Sequence, residues 1–194
     1  MNRVVHPIEQ ESFRRLRTRL DTSHFAPLTR AVVERVIHSA ADLDYAADLV
    51  MDETDLRTAH AALHDGAPVV VDVEMVAAGI TRRDTVCRLK DAKSGPGLTR
   101  SAHAIRLAYE DVGPGALWVI GCAPTALEEL LKLDASPALV IGLPVGFVGA
   151  SESKAALRES GLPAVSNVSE KGGSAVAAAA LNALLYHPIS KEMP

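Results

Sequence analysis

The chain has 194 residues, with 24 acidic and 20 basic side chains and a formal net charge of −4, so it carries no global basic footprint for a nucleic acid. Hydrophobic residues make up 48% but aromatics only 4%, which calls for a core of Val, Leu, Ile and Ala, as in a parallel sheet covered by helices. One domain, 1–194, accommodates that length, and nothing reads as a signal peptide or as the ~20 apolar residues that cross a bilayer.

In chain order, residues 8–20 read as an arginine-rich surface helix. Pro27-Leu-Thr29 opens a second helix, with Thr29 its candidate cap and Val32, Val33, Val36 and Ile37 on the apolar side. Residues 45–51 continue helical, and 55–64 form a helix closed by Asp65-Gly66. A buried strand follows at 68–73, then a short helix at 75–79 and a second strand at 86–89. Lys93-Ser-Gly-Pro-Gly-Leu98 is a loop, after which Thr99 caps a helix over 100–110 that stops at Gly113-Pro-Gly115. The strand at 116–120 leads through Gly121-Cys-Ala-Pro-Thr125 into a helix running to residue 132, with Pro124 in its first turn. A strand at 138–141, a glycine-rich loop, a helix from about 154, a short strand at 163–165 and a last helix at 175–185 complete the chain. The alternation from residue 68 onward predicts right-handed parallel crossovers. The fold expected is a three-layer α/β/α domain, doubly wound, with a mainly parallel sheet and a helical N-terminal third.

Within Gly142-Leu-Pro-Val-Gly-Phe-Val-Gly-Ala-Ser-Glu-Ser-Lys154, three glycines and a proline sit where a strand hands over to a helix, the usual ligand position in an open α/β sheet. Ser151 is placed to cap that helix and leave its amides facing a cleft. The loops 121–125, 142–151 and 171–174 all offer Gly, Ser, Thr and backbone donors at helix starts, and Thr99-Arg-Ser101 adds a guanidinium. Such a set suits a large ligand with several carboxylates. Glycines required only by tight turns explain the same pattern.

His38, late in the second helix, can exchange a proton near neutral pH, although a packed or surface histidine is the commoner occupant of such a position. His60 and His64 have the i, i+4 spacing of a metal pair, but no zincin glutamate accompanies them and solvent-facing histidines explain them better. Ser151-Glu-Ser-Lys154 and Lys171-Gly-Gly-Ser174 imitate elements of penicillin-recognising hydrolases, yet they lie too close together and the intermediate Ser-Asp-Asn is missing. Gly121-Cys-Ala-Pro-Thr125 lacks dinucleotide or Walker spacing. Cys87 and Cys122 show no zinc-type spacing and fit a reducing cytoplasm.

Taken together, these segments resemble the precorrin-8X methylmutase (precorrin isomerase) family of cobalamin biosynthesis. The likeness rests on His38-Ser-Ala40, Asp72-Val-Glu-Met-Val76, Gly79-Ile-Thr-Arg82, Thr99-Arg-Ser101, Ala123-Pro-Thr-Ala-Leu127, Gly142-Leu-Pro-Val-Gly-Phe-Val-Gly-Ala150, Glu152-Ser-Lys154 and Gly172-Gly-Ser174 with Ala178-Ala-Ala-Leu-Asn182, across about residues 8–186. It implies an α/β homodimer without cofactor, partnered by no nucleic acid or membrane, that holds its corrinoid near the subunit interface. The implied reaction is an intramolecular methyl shift from C-11 to C-12, giving hydrogenobyrinate or its cobalt-containing equivalent. By the same resemblance His38 is the general acid and no residue is a metal ligand. Ser12, Arg17, Arg100, Thr125, Gly172, Gly173 and Ser174 are then expected to hold peripheral carboxylates or neighbouring polar atoms. The chain departs from the family pattern at Cys122, where asparagine is common, at Ala41, where glycine is frequent, and at Ser169-Glu-Lys171, which is less basic. A carrier that binds the corrinoid without turning it over is the competing expectation.

Overall fold

A computed structural model describes residues 5–188. Its sheet has five strands, β1 (Leu49–Met51), β2 (Val69–Val71), β3 (Leu117–Ile120), β4 (Leu139–Gly142) and β5 (Ala164–Asn167), in the spatial order β1-β5-β4-β3-β2. β2 to β5 are parallel, and β1 is an antiparallel edge on β5. The helices are α1 (Pro7–Arg19), α2 (Pro27–Ala40), α3 (Tyr45–Asp48), α4 (Glu53–His64), α5 (Glu74–Gly79), α6 (Arg100–Val112), α7 (Pro124–Leu130), α8 (Ala150–Glu159) and α9 (Ser174–Tyr186).

Strand side chains alternate between faces, and the two cores follow that alternation. Val69, Val71, Leu117, Val119, Leu139 and Ile141 pack with α2, α4 and α9 on one side. Val70, Trp118, Ile120 and Val140 meet Ile105 of α6, Leu127 of α7 and Leu157 of α8 on the other. Strands buried on both faces explain the unbroken apolar runs at 69–71 and 117–120. Ten of the thirteen residues of α9 are buried, and its alanines let other backbones come close. A Cβ at Gly79 of α5 would stand only 2.7 Å from Cβ of Ala178.

The three-layer expectation holds, with four differences of detail. The parallel strands run in sequence order, so the winding never reverses among them; the second face is covered mainly by α2, α4 and α9 from outside the crossovers, with the short α5 of the β2–β3 connection beside α9. Residues 45–51 break after one helical turn into β1, because Leu49–Met51 finds a pairing edge on β5. The expected strand at 86–89 reduces to a single bridge between Val70 and Val86. Neither Thr29 nor Ser151 caps a helix. α2 starts from Ala26, and Thr29 gives its amide and hydroxyl protons to Glu53 at 2.8 Å each. α8 starts from Gly149 at φ 79, a left-handed torsion suited to glycine.

Glu34, 4% exposed, fastens α1 to α2. Its carboxylate accepts from Arg17 Nε (3.0 Å) and Nη2 (2.6 Å), Arg30 Nε (2.8 Å) and the Thr22 hydroxyl (2.5 Å). Burial opposes ionisation, but these donors outweigh it and hold the carboxyl at about 2 against an ordinary 4.5. A depressed folded value means that the unfolded chain binds more protons between pH 4.5 and 2, so the stabilisation is complete above that window and lost below it. Glu34→Gln should therefore lower stability by ~1–3 kcal/mol at neutral pH, the deficit shrinking at about pH 3. Urea unfolding at both pH values measures this; an equal deficit at both would assign the loss to packing instead.

Candidate functional site

The carboxyl ends of the parallel strands lead into loops whose backbones are fixed by buried side chains. Asp72, immediately after β2, is fully buried. Its carboxylate accepts from the amides of Gly121 (3.0 Å), Cys122 (2.8 Å) and Ala123 (3.0 Å), which holds the β3–α7 loop over the sheet edge. Burial pushes this carboxyl above its ordinary value, and the three N–H groups act in the opposite sense. Just beyond, the Thr125 hydroxyl lies 2.8 Å from that of Thr99, which caps α6 by accepting from Ala102 N as the sequence predicts. Arg100, the next residue, is exposed, and its guanidinium has no ion pair within the described residues.

The neighbouring turn at 172–174 sits against the β4–α8 loop. Gly173 N donates to Leu143 O at 2.9 Å, and Gly172 takes φ +155. A Cβ on Gly172 would collide with the carbonyl oxygens of Leu143 and Pro144, the latter 2.5 Å away. Gly121 in turn packs on the start of α9, where an added Cβ would be 3.0 Å from Cα of Ser174. Lys154, fully buried, gives its ammonium protons to Asn167 Oδ1 (2.9 Å) and to the carbonyls of Ser169 (2.5 Å) and Lys171 (2.7 Å). Burial lowers its pKa to about 8, which leaves it charged at neutral pH. The Lys171 side chain bonds Asp42 (2.7 Å) and Asp44 (2.8 Å), tying the turn to the segment after α2.

His38 lies in the last turn of α2. Its Nδ1 is 2.7 Å from the Ser12 hydroxyl of α1, and its ring stacks on Phe13 with centroids 5.0 Å apart. The imidazole is half-buried, and its Nε2 makes no hydrogen bond within the described residues. It opens on a cleft of about 630 Å³ that Ser12, Arg15, Leu16, Ile37 and Leu43 also line. When Ser12 donates to Nδ1, the proton is on Nε2 and that nitrogen is the donor left for a ligand. Ala41 ends α2 at φ 54, so the position favours glycine for its left-handed torsion, not for helix packing.

The structure thus joins His38 to Ser12, and separately gathers Arg100, Thr125, Gly172, Gly173 and Ser174 at the sheet edge. The cleft beside His38 is lined by none of the second group. Arg17 is committed to Glu34. His60 and His64 approach at 3.2 Å between their Nε2 atoms, burial lowers the pKa of His64, and the described residues contain no group of three or more side chains able to hold a metal. Ser151 bonds Glu152 at 3.1 Å, while Lys154 is spent on the 167–171 loop, so the two do not form a hydrolase pair. The sequence also promised free backbone donors at 121–125, but those of residues 121–123 are taken by Asp72. Asp72 and Lys154 were missed as determinants of the site; only their place in motif-like segments marked them. At the same edge the side chains of Met75 (72% exposed), Phe147 (95%) and Val148 (87%) stand in the open.

Comparison with known proteins gives the same family from sequence and from structure. The precorrin-8X methylmutase family model matches residues 7–187. A cobalt-precorrin-8 methylmutase of Salmonella typhimurium is 40% identical over 182 residues, covering 88% of this chain and 87% of that protein. A precorrin-8X methylmutase of Sinorhizobium sp is 38% identical, covering 91% of this chain and 92% of its own. The solved structure of a precorrin-8X methylmutase from Thermus thermophilus superposes with a TM-score of 0.82 at 35% identity, over 93% of this chain and 96% of that one. The described residues contain no helix long and apolar enough to cross a membrane.

The turn at 172–174 depends on an absent side chain. Gly172→Ala should cost ~2–3 kcal/mol, because neither carbonyl can move without disturbing β4 and the left-handed torsion adds strain. Urea unfolding compared with Gly66→Ala, a left-handed glycine whose added Cβ would have nothing within 4 Å, isolates the collision. Equal losses at the two positions would mean that torsion alone matters.

Proposed function

The chain belongs to the precorrin-8X methylmutase family, and on that premise we propose that it moves the methyl group of precorrin-8X, or of its cobalt-loaded form, from C-11 to C-12. The observation that carries this reading is the Ser12–His38–Phe13 arrangement beside an open cleft. The C-11–methyl bond breaks, the C-12–methyl bond forms, and the π electrons of the macrocycle rearrange, with no oxidant, nucleophile or leaving group. What accelerates such a shift is withdrawal of electron density from the conjugated system, which a proton or strong hydrogen bond on the ring supplies.

His38 is the acid in this proposal. Ser12 fixes the imidazole tautomer, Phe13 fixes its plane, and Nε2–H lends its proton to the macrocycle and recovers it when the product forms. Arg100 anchors a peripheral carboxylate, with Thr125 and the Gly172-Gly173-Ser174 turn meeting neighbouring polar atoms. Arg17 acts from behind, setting α1 against α2 through Glu34. None of Arg100, Thr125 and the 172–174 turn lines the His38 cleft, and Phe147 and Val148 protrude beside that second group. Contiguous exposed apolar side chains are typical of association sites. Both facts support a homodimer in which the ring is held near the interface.

Two substitutions test the roles. His38→Ala should reduce single-turnover conversion, followed by absorbance with metal-free and cobalt-loaded substrate, by ~10²–10⁴-fold while leaving product binding nearly intact. Unchanged turnover would remove His38 from the mechanism. Arg100→Ala should weaken binding of substrate and product alike by roughly tenfold, about 1.4 kcal/mol, because a carboxylate anchor serves both states. Unaltered affinity for both would show that Arg100 touches neither.

A further inference from the structure

We infer that Asp72 is the positioning residue of the 121–125 loop, and that it makes this loop meet its ligand through carbonyl oxygens instead of amide N–H groups. The inference rests on the proposal that Thr125 and its surroundings touch the corrinoid.

Three observations lead here. First, the three successive amides of Gly121, Cys122 and Ala123 all donate to one carboxylate that is itself fully buried. Among the described residues no lysine or arginine is bonded to it, so these N–H groups are its compensation. A buried carboxylate without such donors costs several kcal/mol, so loop and carboxylate stabilise each other. Second, the peptide bonds are trans. In a trans peptide the C=O of one residue points opposite to the N–H of the next. With the amides of Cys122 and Ala123 turned inward, the carbonyls of Gly121 and Cys122 are turned away from Asp72. Neither receives a protein hydrogen bond within the described residues; Gly121 is buried and Cys122 is exposed, so the Cys122 carbonyl is the acceptor offered at the surface and that of Gly121 stands behind it. Third, the amide that would otherwise open α7 toward an anion is missing, because Pro124 occupies the first helical position.

The loop is therefore an acceptor surface backed by a buried negative charge. An incoming carboxylate would meet outward carbonyls and like charge about one residue deeper, which disfavours it. A ring N–H, or any N–H or O–H donor at the rim of the macrocycle, would meet complementary oxygens. Carboxylates are left to Arg100, whose guanidinium is uncommitted within the described residues. The 121–125 loop and Arg100 thus divide the ligand by hydrogen-bond polarity, and the Thr99–Thr125 hydroxyl pair keeps the two readers adjacent.

Cys122 makes the loop testable without turnover, since its thiol lies between two of the amides in question. In a Cys87→Ser background, Asp72→Asn confronts the loop amides with an NH2 group and leaves one accepting oxygen. The rate of Cys122 with a disulfide reagent should rise severalfold, and affinity for the corrinoid product and KM should worsen about tenfold with kcat nearly kept. An unchanged thiol rate would overturn the positioning role. A faster thiol with unchanged corrinoid affinity would overturn the part assigned to the loop in recognition. Failure of the functional reading would appear elsewhere, as wild-type protein that does not bind the corrinoid at all. If Asp72→Asn does not fold, hydrogen exchange on wild-type protein decides. The amides of Gly121, Cys122 and Ala123 should be protected in the free protein and gain nothing from product. Fast exchange that slows on adding product would show that the amides, not the carbonyls, face the ligand.

Discussion

The sheet edge that carries the proposed ligand-binding group is held by two buried charges of opposite sign. Loops that leave parallel strands forfeit the ladder, and their inward N–H and C=O groups must find partners or cost free energy. Asp72 collects three amides of the β3–α7 loop; Lys154 collects an amide oxygen and two carbonyls of the β5–α9 loop. A carboxylate can only accept and an ammonium can only donate, so each loop is forced into one orientation. Removing either charge strands three backbone or amide groups at once. Asp48 extends the second cluster, accepting from Asn167 Nδ2 at 2.8 Å and from Ser169 N at 2.8 Å, so the edge strand β1 is bound into the same frame.

These anchors explain how glycine serves the site. Gly172 is excluded from carrying a side chain by carbonyls of the neighbouring loop, and Gly121 by the start of α9. Both therefore allow one loop to lie directly on another element. The charged anchors fix direction, and the glycines permit the close approach. An edge assembled this way has little room to adapt, which suits a ligand as stiff as a tetrapyrrole.

Much of this was legible in the chain. The alternation of apolar runs with glycine-rich loops from residue 68 onward reads out β2, β3 and β4, whose doubly buried residues are apolar, whereas β5 ends in the buried polar Ser166 and Asn167. Thr99 and Pro124 behaved as their side-chain chemistry dictates. What escaped was set by tertiary partners. Leu49–Met51 is a strand only because β5 offers an edge 114–118 residues later, and no local pattern distinguishes it from a helix continuation. Ser151 lost its capping role to Gly149, two residues earlier, whose left-handed torsion turns the chain sooner. Asp72 looked like one member of a motif, and its partners are 49–51 residues away. His38 is the reverse case: its position in an amphipathic helix is unremarkable, and only the family motif singled it out before Ser12 and Phe13 were seen around it.

A methyl shift within one molecule asks unusually little of an enzyme in functional groups and much in placement. In the reaction proposed here nothing is oxidised, no covalent intermediate forms, and one proton lent and returned completes the account. The gain then comes from holding the ring so that a single face and a single pair of carbons are matched to the acid, the kind of ordering that yields large effective molarities. That requirement accounts for the proportions seen here. A single imidazole, oriented by one hydroxyl and one aromatic ring, faces the cleft. The buried charged groups among the described residues, Glu34, Asp72, Glu129 and Lys154, are each held by protein donors or acceptors and fix the elements on which that arrangement stands.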